Sequence, residues 1–126
     1  MLDKYCLACK ILICQQTHGT GGLIDRIIQE MERLCVSNRI PVFGTGKSAA
    51  LEAADPGYRP SDTLPSAKSV VCVGLPVPRG VFQAKERSHE VYWRAANIYY
   101  RMIDAVLLRL AQIIEEEGEM AVPVFG

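Results

Sequence analysis

From Ser88 to Glu117 the sequence runs without a proline or glycine and keeps a helical rhythm, which commits this stretch to a helix of about 45 Å. Ser88 is placed to cap it, and Val91 opens the apolar run. Arg94, Asn97, Arg101, Asp104, Gln112 and Glu115 form one narrow polar stripe, interrupted by Leu108. The rest of the girth carries residues such as Trp93, Tyr99, Ile103, Leu107, Leu110 and Ile114. A helix this apolar is expected to be covered on more than one side. Gly118 follows, where a left-handed residue ends a helix.

The strongest strand lies before it. Lys68 to Leu75 (KSVVCVGL) is a continuous apolar run of the kind buried in the middle of a sheet, and Pro76 and Pro78 stop it because neither can donate to a ladder. Met120 to Phe125 reads as a second strand. Strand, long helix and strand predict a βαβ crossover with the two strands parallel. The fold class expected is therefore α+β, layered, with a mixed sheet, a βαβ crossover and a long central helix. A parallel strand so late in the chain suggests that the sheet continues past Gly126.

The first half is less regular. Met1 to Gln16 is apolar, Cys-rich and ambiguous in type; His18 to Gly22 reads as a loop. Leu23, Ile24, Ile27, Ile28, Met31, Leu34 and Cys35 recur at helical spacing, predicting an amphipathic helix that ends near Asn38, before Pro41. Ile40 to Phe43 is short and β-prone, Gly44 to Gly46 reads as a turn, and Lys47 to Ala54 as two helical turns. Tyr58 to Pro65 is irregular, proline-punctuated chain. The 126 residues are read as a single domain, with residues 1–22 an N-terminal extension and 23–126 the body.

Composition excludes some functions. Fourteen basic residues balance fourteen acidic ones, so no basic field favours nucleic acid, and no nucleic-acid partner is expected. Tyr5 to Cys14 is too short to span a bilayer and contains Lys10, so no membrane association is expected. An odd count of five cysteines and no recognisable cleavable leader point to reduced thiols and a cytoplasmic setting.

The string P-S-D-T-L-P-S-A-K-S-V-V-C-V-G-L-P-V-P from Pro60, then a long helix, then E-E-E-G-E-M-A-V-P-V, resembles the N-terminal domain of epoxyqueuosine reductases and reductive-dehalogenase-like corrinoid iron–sulfur proteins. Leu64 to Val71, Gly118, Ala121 and Pro123 carry the likeness, and residues 24–58 agree in layout. The resemblance implies part of a nitroreductase-like fold and an oxidoreductase lineage. For the full-length family it also implies cobalamin and four-iron four-sulfur clusters. The cluster motif Cys-x2-Cys-x2-Cys-x3-Cys-Pro does not occur here, so the chain is expected to be catalytically incomplete, with no catalytic residue of its own. The alternative is a stand-alone, non-catalytic domain that binds a small ligand or assembles as a homodimer.

Three segments offer chemistry. Gly44-Thr45-Gly46-Lys47-Ser48 invites a phosphate-loop reading, but the Walker pattern needs glycine where Pro41 stands, and an ordinary turn is the simpler reading. Cys6, Cys9, Cys14 and His18 have a spacing formally sufficient for zinc, although Leu7, Ile11, Leu12 and Ile13 between them read equally as core. The loop after the 68–75 strand is the expected ligand site, because open parallel sheets bind at the carboxyl ends of their strands. There Pro76, Arg79, Gly80 and His89, with Tyr92 and Tyr99 of the helix, would meet a small anionic or planar ligand such as a corrinoid. Tyr92, Trp93, Tyr99 and Tyr100 together suggest an aromatic face through which the helix would self-associate. Cys35 and Cys72 are read as packing residues.

Overall fold

The structure, a computed structural model, describes residues 7–14 and 21–124. They form an α+β domain with strand β1 (Leu7–Cys14), helix α1 (Gly21–Ser37), strand β2 (Val42–Lys47), a short helix α2 (Pro60–Thr63), strand β3 (Ser69–Pro76), helix α3 (Ser88–Glu116) and strand β4 (Ala121–Pro123). Within the ambiguous N-terminal segment, Leu7–Cys14 is thus a strand.

The strands make one sheet in the order β2-β3-β1-β4. Every neighbouring pair is antiparallel, so the mixed sheet expected from the sequence is corrected. β3 and β4 each oppose β1 and therefore run the same way, but they are not neighbours. The reason lies in β1: a strand with no legible type in the sequence takes the place between them. Cys14 faces Ser69 on one side and Ala121 on the other, and Lys47 faces Ser69 in turn, so these four residues form one row across the sheet.

Alternation along β3 separates two layers. Val71, Val73 and Leu75, with Cys14 and Ala121, join Met31 and Cys35 of α1 and Ile103, Leu107 and Leu110 of α3 in the main core. Val70 lies on the opposite face with Leu64, Ala67, Val122 and Val124 in a smaller cluster. Both long helices therefore cover the same face. α3 is wrapped on one side only: Trp93 and Ile98 remain 65% and 57% exposed, against the expectation of cover all round.

α1 and α3 end alike. After α1 the Arg39 N–H donates to the Val36 carbonyl (3.0 Å) and the Ile40 N–H to the Cys35 carbonyl (2.8 Å). After α3 the Gly118 N–H donates to Glu115 (3.0 Å) and the Glu119 N–H to Ile114 (3.4 Å). Both are Schellman motifs, with Arg39 at φ 56° and Gly118 at φ 87° in the left-handed position. Ser88 does not cap α3. A 3-10 turn over Lys85–Arg87 runs straight into the helix, and the flanking residue is Arg87.

Gly44 to Gly46 is not a turn: these residues lie within β2, opposite Cys72, Val71 and Val70. The two helical turns expected over 47–54 shrink to one 3-10 turn, Ser48–Leu51. Polar bonds then pin the irregular segment. The Asp62 carboxylate accepts from the Gly57 N–H (2.7 Å) and the Arg59 N–H (3.1 Å). Glu52 accepts from the Ser61 hydroxyl (2.7 Å) and the Ser61 N–H (3.2 Å). Buried Ser48 donates its hydroxyl to the Ala67 carbonyl (3.0 Å).

Candidate functional site

Beyond Pro76 the chain is anchored by Val77, then winds through 3-10 turns over Arg79–Gln83 and Lys85–Arg87 into α3. Lys85 joins the turns in the left-handed conformation, φ 53°, which a non-glycine residue adopts at some cost. This path brings Phe82, Ser88, His89 and Tyr92 around a shallow cleft. The Phe82 and Tyr92 rings stand 5.8 Å apart with their planes tilted by 38°.

Of the six residues expected to meet a ligand here, His89 and Tyr92 share this cleft. Pro76 closes β3 opposite Leu7. Arg79 and Gly80 are exposed at the start of the first turn and do not line the cleft. Tyr99 is two helical turns past Tyr92, about 10 Å along the axis, and packs against the main core. The aromatic face divides for the same geometric reason. At 100° per residue, half-buried Tyr92 and Tyr99 fall on the side towards the sheet, while Trp93 and Tyr100 fall on an exposed flank.

The zinc reading meets the strand. Cys9 and Cys14 are five residues apart in extended β1, a Cα separation of about 17 Å. One tetrahedral ion with Zn–S bonds of about 2.3 Å cannot take both. Cys6 and His18 lie outside the described residues. Among the described residues no group of three or more His, Cys, Asp or Glu is placed to hold a metal ion. Cys14 is buried, and burial pushes its thiol up to about 12, while a hydrogen bond with Ser69 works the other way. Cys35 is pushed up to about 11, by burial first and then by the nearby Glu32 charge. Neither is a thiolate at neutral pH, so neither is poised as a nucleophile. Cys72 is half-buried.

A second hollow lies at the opposite end of the sheet. The helix-facing side of the sheet supplies its floor: Cys14, Thr45, Lys47, Ser69 and Val71. α1 supplies Ile27, Ile28 and Met31, and the end of α3 supplies Ile114, with Glu119 just beyond it. The volume is about 260 Å³. Because neighbouring strands are antiparallel, this end holds the carboxyl ends of β1 and β2, so the strand-end rule for parallel sheets does not single out the loop after β3. Lys47, met in the sequence as part of a phosphate loop, is here the last residue of a strand at the mouth of an apolar pocket.

Sequence reasoning missed Thr45 and Ser69 as floor residues. Their signal was register: two short strands must be paired before the alternate positions line up. No protein-family profile, curated protein or solved structure matches the chain.

Proposed function

We propose that this chain is the N-terminal, catalytically incomplete portion of an epoxyqueuosine-reductase or reductive-dehalogenase-like corrinoid iron–sulfur oxidoreductase. One observation supports the reading above others. Part of the phrase that carries the sequence resemblance packs against the late strand: Leu64, Ala67 and Val70 meet Val122 and Val124, which alternate along the chain with Ala121 and Pro123. A phrase kept for packing would behave so. In this reading β3, α3 and β4 form a crossover unit around β1, part of a nitroreductase-like sheet. The cobalamin and four-iron clusters belong to the assembled enzyme in the cytoplasm, the clusters residing in another portion of it. In the described residues no helix is long and apolar enough to cross a membrane.

Anaerobic titration with cob(II)alamin tests the proposal. A saturable change in the visible spectrum is expected, and an unchanged spectrum at millimolar protein counts against it. A second reading, a non-catalytic assembly domain, is favoured by exposed Trp93 on the flank of α3. Sedimentation separates the two: a tight homodimer that ignores cobalamin supports assembly, and a cobalamin-responsive monomer supports the enzyme portion.

A further inference from the structure

We propose that the pocket between α1 and the sheet binds a medium-chain aliphatic carboxylate, with the chain buried and the head group at Lys47. The inference is independent of the corrinoid reading and concerns the opposite end of the sheet from the loop expected to hold a ligand.

The walls are apolar where a chain would lie: Ile27, Ile28 and Met31 above, Val71 below, Ile114 at the side. Burying methylenes there removes them from water at about 0.8 kcal/mol each, the driving force for entry. A volume of about 260 Å³ corresponds to roughly nine water-sized groups, at about 30 Å³ apiece. About eight carbons fill that volume, with the carboxylate at the opening.

Charge decides the head group. Lys47 is exposed and lines the opening, and its side chain makes no hydrogen bond or ion pair with another described residue. Its place is set by the backbone: β2 puts it opposite Ser69, on the same side of the sheet as Thr45 and Val71. An ammonium on a flexible stem reaches a carboxylate at the mouth while its methylenes cover the chain. Glu119 also lines the pocket and has an interaction of its own. The Cys14 thiol, protonated at neutral pH, presents no competing charge on the floor.

Titration calorimetry with octanoate, 1-octanol and acetate tests this on the full chain. Saturable octanoate binding at one site is expected, with acetate inert. Affinity should rise about fourfold per methylene up to roughly eight carbons and then level off. Lys47→Met should weaken octanoate about fivefold, the scale of one partly exposed ion pair, and leave octanol unchanged. Octanol binding as well as octanoate to the unaltered protein, or affinity still climbing at twelve carbons, overturns the proposal, as does absence of saturable binding. Since Lys47 is exposed, its variant tests the head group without testing the fold; cobalamin binding is unaffected by either outcome.

Discussion

The two faces of the sheet are built differently. On the helix face, Val71, Val73 and Leu75 meet Ile103, Leu107 and Leu110, and four of these six are fully buried. On the other, a cluster around Leu64 and Val70 is closed by a thin segment whose hold is polar: Asp62 on two amides, Glu52 on Ser61, Ser48 on Ala67. Apolar burial is non-directional and scales with area, so the first face tolerates small shifts. Carboxylate-to-amide bonds depend on position, so the second is ordered only when each acceptor stands in place.

The largest expected difference comes from core truncation. Leu107→Ala should cost about 2–5 kcal/mol in urea unfolding, and Leu64→Ala, in the smaller cluster, roughly half as much. Equal costs would erase the contrast. Alkali should strike the helix face alone. A free thiol ionises near 9.0, whereas Cys14 in the fold holds its proton to about 12. The unfolded chain therefore loses its proton first. Stability from this group is intact below pH 9 and falls by about 1.4 kcal/mol per pH unit as pH rises from 9 towards 12. Cys14→Ala should reduce the alkaline slope in pH-dependent melting, leaving the part contributed by Cys35, whose thiol is raised to about 11, and an unchanged slope would assign it elsewhere. Peptide-mapped alkylation at neutral pH should mark Cys72 before Cys14 or Cys35.

On the thin face, Asp62→Ala frees two amides and should cost about 1–2 kcal/mol, with faster proteolysis near Tyr58. Unaltered cleavage would mean that the segment is held by Leu64 instead. The smallest effect compares the helix ends. Arg39→Gly should stabilise by roughly 0.5 kcal/mol, relieving a non-glycine left-handed residue, whereas Gly118→Ala should destabilise by about 1 kcal/mol. Thermal melts of the two variants moving in the same direction would contradict the shared motif.

Legibility followed the same division. The helix over 88–116 was readable because its apolar period persists for eight turns, and α1 because seven apolar residues repeat on one face. Gly118 was readable as a terminator; Arg39, in the same geometry, was not, since nothing in an arginine signals positive φ. Gly44 to Gly46 misled because glycine signals a turn locally, while pairing with Val70 to Cys72 holds it extended. Of the expected ligand residues, His89 and Tyr92 converge because they are one helical turn apart, and Tyr99 does not because the core takes it.

What the amino-acid order determined unaided was local: the two long helices, the central strand and the apolar stripes, each carried by a period within a few turns of chain. Only tertiary structure decided that β1 enters between β3 and β4, that the sheet is antiparallel at every step, and that Lys47 stands at the mouth of a pocket with Ser69 and Cys14. The physical reason is that strand order and register are set by contacts across the sheet. Residues 14, 47, 69 and 121 meet in one row through backbone hydrogen bonds that no local pattern records.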